Sequence, residues 1–226
     1  MDKTTNTFAA RLFVKIAGLF CGRINFNECW GDFLKKVRLT SFQIIILGFL
    51  FLILLGTLLL MLPISQANGN ATSFKDALFT STSATCVTGL VVKNTATYWS
   101  LFGKCVILCL IQIGGLGIVT VAMAFSLLGR KKIGLMQRTV MQESISAFYV
   151  GGIVKFTSFI IRTVICCELL GALLMLPVFW HQFGGIHGIF YAVFHSISAF
   201  CNAGFDLLGT SSQPFVSLGR YIANPL

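Results

Sequence analysis

Charge is scarce in this chain of 226 residues. Only 11% of the residues are charged and seven of them are acidic, whereas 56% are hydrophobic and the mean hydropathy is +0.85. A composition this apolar excludes an ordinary soluble domain and predicts an integral membrane protein. Three stretches approach the roughly 20 apolar residues that a spanning helix needs. They are residues 42–62, 105–129 and 163–180, the last of which begins earlier, near Gly151.

Several catalytic and metal-binding motifs are missing. The sequence has no HExxH, no Gly-x-Ser-x-Gly and no pair of acidic residues within a predicted span, so we do not expect an enzyme. No two CxxC elements are present to hold zinc, and four of the eight cysteines fall within predicted spans. We therefore expect reduced, structural cysteines and no cofactor.

The net charge of +10 is unevenly distributed around the predicted spans. Seven of the 17 basic residues precede the first span, and four more occupy the short loop after the second, namely Arg130, Lys131, Lys132 and Arg138. Basic residues stay on the cytoplasmic side of a membrane. The N-terminus and this loop are therefore predicted to be cytoplasmic, in a multi-pass protein of the plasma membrane that contacts lipid and binds no nucleic acid. The basic loop either sets this orientation alone or also docks a cytosolic partner.

One thirteen-residue pattern occurs twice, as ALFTSTSATCVTG at 77–89 and as AVFHSISAFCNAG at 192–204. Seven positions are identical at a fixed offset of 115 residues. Each copy follows a long apolar run, is too short to cross a bilayer, and ends in a small, polar tip with glycine. The pattern predicts half-helices over 74–84 and 188–200, the second after a turn at 181–188. A repeated hairpin of this kind points to ion conduction.

The predicted fold is therefore all-α and membrane-integral. It consists of repeated helix–pore loop–helix units, with about three spanning helices and two re-entrant half-helices. Residues 1–38 form a cytoplasmic or interfacial segment, 39–129 the first unit, 130–149 a basic cytoplasmic linker, and 150–226 an incomplete second unit. Because the second unit stops before its closing helix, we expect part of a longer transporter or a truncated product that does not conduct alone.

The loop tips suit a monovalent cation. Non-helical backbone at membrane depth must be buried in protein or line a water-filled cavity, where carbonyl oxygens can replace the hydration shell of an ion. Glycine reaches backbone angles that other residues avoid, and the end of each half-helix brings the negative end of its dipole near the ion. The tips carry no formal charge before Asp206, which argues against a carboxylate ring for divalent ions. A pair of non-conducting hairpins is the alternative.

These residues resemble the Trk/Ktr/HKT superfamily of potassium uptake proteins, and most closely the bacterial Ktr membrane subunit. The resemblance rests on TCVTGL at 85–90, CNAGFD at 201–206 and QIGGLG at 112–117, and it extends over nearly the whole chain from about residue 40. It implies potassium uptake through a pathway surrounded by four units, with a sodium-permeable relative as the alternative. It also implies a homodimer of the full-length protein and a cytosolic, nucleotide-binding regulatory subunit.

The same resemblance makes Gly89 and Gly204 two of four filter glycines, a pattern that the family associates with potassium preference. The implied potassium ligands are backbone carbonyls in the two loops, those of Val87, Thr88, Gly89, Asn202, Ala203 and Gly204.

Other polar residues lie in or beside these segments. Glu168 interrupts the third span, where a charge is costly, and it either faces the ion pathway or forms a structural pair. Asp206 either concentrates cations at the outer mouth or caps the tip with a hydrogen bond. His195 replaces Thr80 of the first copy, and we expect it to pack rather than to transfer protons. Four serines are expected to brace the tips from behind: Ser81, Ser83, Ser196 and Ser198.

Overall fold

The computed structural model describes residues 41–117 and 153–210, together with residues 120, 121, 140, 142 and 213. The regular secondary structure of this part of the chain is helical, apart from one isolated β-bridge between Gln66 and Trp99. Its helices are α1 (Ser41–Met61), α2 (Phe74–Thr85), α3 (Thr95–Tyr98), α4 (Leu101–Leu116), α5 (Ile153–Phe183) and α6 (Gly185–Phe200), with a 3-10 turn at Pro63–Ser65. The predicted N-terminal segment and the basic residues 130–132 lie outside the described residues.

Within the described ranges, α1 and α5 are long and apolar enough to cross a membrane. Both expose large hydrophobic side chains, since Phe51 of α1 is 66% exposed and Leu174 of α5 is 68% exposed. Apolar surfaces of this extent belong against lipid or other protein rather than water. The first and third predicted spans are confirmed as helices, and α1 differs from its predicted range by one residue at each end.

The second predicted span is not one continuous helix. Helix α4 begins at Leu101, before the apolar stretch at 105–129, but it ends at Leu116, and Gly117 follows with a φ of 81°. A positive φ stops a helix, and glycine adopts it without a steric penalty. Thr120 and Val121 are helical again, whereas residues 118–119 and 122–130 lie outside the described part.

The turn predicted at 181–188 is present but much shorter, since it consists of Gly184 alone. Helix α5 continues through Pro177 to Phe183, and α6 begins at Gly185, three residues before its predicted start. Gly184, with a φ of 72°, is the only residue between the two helices. Its N–H donates to the carbonyl of Trp180 at 3.0 Å, which closes the last turn of α5 before the chain reverses.

Two helical hairpins meet on α4. Helix α2 packs against α1, α6 packs against α5, and α4 contacts α1, α2 and α6. One hydrophobic core joins α1, α2, α4 and α6, and its largest fully buried members include Trp99, Ile107, Ile111 and Phe194. A second, smaller cluster packs Phe179 of α5 against Ala192 of α6. The packing therefore brings the C-terminal ends of α2 and α6, where the duplicated sequence ends in glycine, to the same helix.

Candidate functional site

The first loop, residues 86–90, begins where α2 ends at Thr85. Ser73 caps the start of this helix by accepting a hydrogen bond from the N–H of Asp76 at 3.2 Å. At its other end, the N–H of Thr88 turns back to donate to the carbonyl of Ser83 at 3.0 Å. Val87 and Gly89 then adopt positive φ values of 56° and 73°. The backbone therefore turns sharply away from the axis of α2 directly after the helix ends.

The second loop, residues 201–205, has the same conformation 115 residues later. The N–H of Ala203 donates to the carbonyl of Ser198 at 2.7 Å, as Thr88 does to Ser83. Asn202 has a φ of 56° and Gly204 a φ of 71°, within 2° of Val87 and Gly89. The sequence duplication is therefore a duplication of backbone geometry as well.

Val87 is a functional candidate whose conformation the sequence did not reveal. A β-branched residue at positive φ is a genuine outlier, and such strain of about 1–3 kcal/mol clusters at functional sites. Val87 gives no local signal for this conformation. The signal lies in its equivalent, Asn202, because asparagine tolerates the left-handed region better than most residues.

The two loops meet at their glycines. A Cβ atom on Gly89 would lie 2.6 Å from the carbonyl oxygen of Ala203, and one on Gly204 would lie 3.4 Å from the Cα of Gly89. A side chain at position 89 would therefore press on the backbone of the other loop. The close approach requires glycine at Gly89 for space as well as for φ, and it brings together carbonyl-bearing segments that are 115 residues apart in sequence.

The paired glycines of α4 hold the two loops at this distance. A Cβ atom on Gly114 would overlap the carbonyl oxygen of Thr85, the last residue of α2. A Cβ atom on Gly115 would lie 2.5 Å from the sulfur of Cys201, the residue that caps α6. Small residues let helices approach closely in membranes. Successive glycines of the QIGGLG segment thus seat the ends of the two short helices on α4.

The four serines divide into two pairs. Ser81 donates to the carbonyl of Ile53 in α1 at 2.8 Å, and Ser196 donates to the carbonyl of Glu168 in α5 at 2.6 Å. These hydroxyls tie each short helix to its long helix and do not contact the loops. Ser83 and Ser198 do contact the loops, since Ser83 accepts from the hydroxyl of Thr88 at 3.0 Å and Ser198 donates to the carbonyl of Phe205 at 2.6 Å.

Glu168 is hydrogen-bonded to Gln112, and its role in the ion pathway stays a prediction. The amide nitrogen of Gln112 donates to both carboxylate oxygens, at 2.9 Å and 3.1 Å, and Glu168 is only 8% exposed. A buried acid within a span needs a partner of this kind. The contact joins α5 to α4 two residues before Gly114, so it lies close to the helix ends that carry the loops.

The side chain of Asp206, directly after the second loop, hydrogen-bonds to the backbone of the turn that follows it. Its Oδ1 atom accepts a hydrogen bond from the N–H of Leu208 at 3.0 Å. Burial raises the pKa of the Asp206 carboxyl, while hydrogen bonds from the backbone of Leu208 and Gly209 act in the opposite direction. This geometry is the tip-capping arrangement, and the attraction of cations by Asp206 stays a prediction.

Side-chain metal ligands do not cluster in the described ranges, where no group of three or more His, Cys, Asp or Glu residues could hold a metal. The six cysteines described there are free: Cys86, Cys105, Cys109, Cys166, Cys167 and Cys201. The expectation of reduced cysteines stays a prediction.

Comparison with known sequences identifies the family. Residues 32–223 match the family described as TrkH, cation transport protein, and this match covers most of the chain. The chain belongs to the TrkH family. Membership confirms the resemblance to Trk and Ktr proteins, and together with the apolar helices α1 and α5 it establishes a membrane protein.

Relatives within the TrkH family are similar over the same region. The chain is 43% identical over 176 residues to the potassium/sodium uptake protein NtpJ of Enterococcus hirae, and 44% identical over 183 residues to the Ktr system potassium uptake protein B of Bacillus subtilis. A protein of the latter name from Vibrio alginolyticus is 37% identical over 175 residues. These alignments cover 77–81% of this chain but 38–41% of the relatives. The chain therefore spans about two fifths of their length.

Proposed function

We propose that residues 41–210 provide two of the four units of a cation uptake pathway, and that backbone carbonyls of residues 87–89 and 202–204 select potassium there. This proposal depends on the contact between the two loops. A Cβ atom added to Gly89 would lie only 2.6 Å from the carbonyl oxygen of Ala203. Carbonyl oxygens that converge on one point can replace the water around a dehydrated ion.

The short helices add a favourable field. Helices α2 and α6 end at Thr85 and Phe200, directly before the two loops. The C-terminal end of a helix carries roughly half an elementary negative charge, and such ends coordinate cations in other transporters. Two of them at one place therefore favour a cation and oppose an anion.

A monovalent ion fits these loops better than a divalent one. Residues 86–90 and 201–205 contain no acidic side chain. The carboxylate of Asp206 already accepts a hydrogen bond from Leu208. Divalent cations favour carboxylate ligands, whereas carbonyl oxygens suffice for potassium. The transport we propose needs no covalent chemistry and no cofactor.

Sodium permeation is the second candidate. It is favoured by the name of the Enterococcus hirae relative, a potassium/sodium uptake protein. The names of the Bacillus subtilis and Vibrio alginolyticus relatives mention potassium alone. Because both loops have glycine at the equivalent positions 89 and 204, we place potassium first.

Orientation and partners complete the proposal. The distribution of basic residues supports a plasma-membrane protein with a cytoplasmic N-terminus and loops that face outward. For the full-length protein we propose a homodimer and a cytosolic nucleotide-binding regulatory subunit, which the basic residues 130–132 would contact. The term "Ktr system" in the names of two relatives supports a multi-component assembly.

A chimera tests the proposal. In this Ktr chimera, residues 41–210 replace the matching segment of the Bacillus subtilis relative, and the protein is expressed in a host that lacks its own potassium uptake. We expect growth at low potassium and uptake of potassium in preference to sodium. Normal amounts of the chimera in the membrane without any cation uptake would overturn the proposal, and equal uptake of both ions would favour the sodium-permeable alternative.

A further inference from the structure

His195 is fully buried behind the second loop, and both of its ring nitrogens are hydrogen-bonded. Its Nδ1 atom lies 2.8 Å from the carbonyl of Tyr191, one turn earlier in α6. Its Nε2 atom accepts from the backbone N–H of Leu207 at 3.2 Å. Because Nε2 is an acceptor, the ring is neutral and its proton is on Nδ1, which donates to the carbonyl of Tyr191. The ring also stacks on Phe179 of α5, with centroids 5.1 Å apart.

The bond to Leu207 reaches the chain that leaves the loop, which we call the outer limb, residues 205–208. Ser198 also holds this limb, by donating to the carbonyl of Phe205 at 2.6 Å. Residues His195 and Ser198 belong to the same helix, so α6 grips the limb at two points. Both neighbours of Gly204 are therefore hydrogen-bonded to Ser198. The N–H of Ala203 donates to its carbonyl, and the carbonyl of Phe205 accepts from its hydroxyl.

The first copy of the repeat has neither of these two bonds in the described ranges, since Ser83 accepts from the hydroxyl of Thr88 and does not donate to Leu90. Thr80, which is equivalent to His195, donates to the carbonyl of Asp76 at 2.8 Å, the counterpart of the bond between His195 and Tyr191. Within the described ranges, Thr80 makes no further hydrogen bond like the one to Leu207. The residues at which the two limbs begin also differ in exposure, since Leu90 is 60% exposed whereas its equivalent, Phe205, is 2% exposed.

We propose that His195 is a positioning residue for the second loop, and that its bond to the Leu207 N–H fixes the outer limb and thereby aims the carbonyls of residues 202–204. This inference rests on the proposed potassium function, because the carbonyls matter only if they bind the ion. It implies that the two loops differ in rigidity. The second loop is the rigid one, and the first loop can adjust its outer limb to it.

The chain offers matched variants. Glutamine can place an amide oxygen near the position of Nε2, so His195→Gln retains an acceptor for Leu207. Threonine is the residue of the first copy, so His195→Thr retains the bond to Tyr191 and loses the one to Leu207. Thr80→Ala is the control, because it removes the equivalent bond to Asp76 without touching an outer limb.

The test measures two quantities on the Ktr chimera and these variants: the ratio of potassium to sodium uptake, and hydrogen exchange at the Leu207 amide in the purified protein. We expect His195→Thr to lower the ratio about fivefold to tenfold, as the loss of one buried hydrogen bond predicts, and to accelerate exchange at Leu207 by a similar factor. His195→Gln should restore both quantities to within about twofold, and Thr80→Ala should change neither.

The outcomes separate the two proposals. If the unsubstituted chimera takes up no cation, the proposed function fails, while the exchange measurement still decides whether His195 holds Leu207. If the chimera is selective and His195→Thr keeps both its selectivity and its slow exchange, the inference is overturned. Equal losses in His195→Thr and His195→Gln would also overturn it, because they would reduce the role of His195 to filling space.

Discussion

Gly89 and Gly204 face each other from two copies of one loop, so that a Cβ atom on Gly204 would lie 3.4 Å from the Cα of Gly89. Their φ values, 73° and 71°, differ by only 2°. Neither position tolerates a side chain without backbone strain. The proposed potassium filter depends on this contact between two uncharged loops, because it brings their backbone carbonyls together.

The tie between each short helix and its long helix can be tested by a double-mutant cycle. A Cβ atom on Gly171 would lie 2.5 Å from the hydroxyl oxygen of Ser196. Gly171→Ala alone should therefore displace this hydroxyl and lower the free energy of unfolding by about 1–2 kcal/mol. In a Ser196→Ala background the same change should cost little, because the obstacle is gone and alanine favours the helix. Thermal unfolding in detergent measures each variant, and additive effects would contradict this packing.

The first copy supplies the control for this cycle. A Cβ atom on Gly56 would lie 2.5 Å from the hydroxyl of Ser81, but also 2.7 Å from a methyl carbon of Leu110 on α4. Ser81→Ala should therefore not rescue Gly56→Ala. Rescue at both sites would show that α4 does not press on α1 as closely as the structure indicates.

The pair formed by Gln112 and Glu168 leads to a prediction about a charge in the membrane. Glu168→Gln keeps a hydrogen-bonding partner for Gln112, so stability and potassium uptake should stay close to those of the unsubstituted Ktr chimera. Glu168→Leu leaves the amide of Gln112 unpaired and should cost about 1–3 kcal/mol. If Glu168→Gln is stable but loses most of its uptake, the carboxylate acts in the ion pathway, and the purely structural role is wrong.

Orientation can be measured with fusions to reporter proteins. Alkaline phosphatase joined after Asn70, in the exposed turn before α2, should be active, because this enzyme folds only outside the cytoplasm. The same enzyme joined after Lys132 should be inactive, and a green fluorescent protein there should fluoresce. The reverse pattern would mean that the basic residues do not set the topology as the positive-inside rule predicts.

Local patterns in the sequence predicted much of the fold. The apolar runs gave α1 and α5, and the duplicated motif gave α2 and α6, whose C-terminal ends agree with prediction to within one residue. The turn at 181–188 was predicted too long, because Gly184 alone reverses the chain and the polar residues before it continue α5. Nothing in the local hydrophobicity marks that difference.

Contacts distant in sequence could not be predicted in this way. Gln112 and Glu168 are 56 residues apart, and only the packing of α4 against the second hairpin shows which alternative for Glu168 has a partner. The same holds for Gly114 and Gly115, whose sequence does not show that they lie against the C-terminal ends of α2 and α6. The positive φ of Val87 has no local cause, since it follows from the shape that both loops share.

The ratio of potassium to sodium uptake by Gly89→Ser in the Ktr chimera tests the central claim most directly. Gly69→Ala is the matched control, because Gly69 also has a positive φ, 71°, but no atom lies within 4 Å of an added Cβ. Both substitutions therefore strain the backbone, whereas only the side chain of Gly89→Ser would contact the second loop. We predict that Gly89→Ser lowers the ratio about tenfold, equivalent to about 1.4 kcal/mol of discrimination, and that Gly69→Ala leaves it unchanged. Normal uptake with an unchanged ratio in Gly89→Ser would contradict selection of potassium by the carbonyls of these loops.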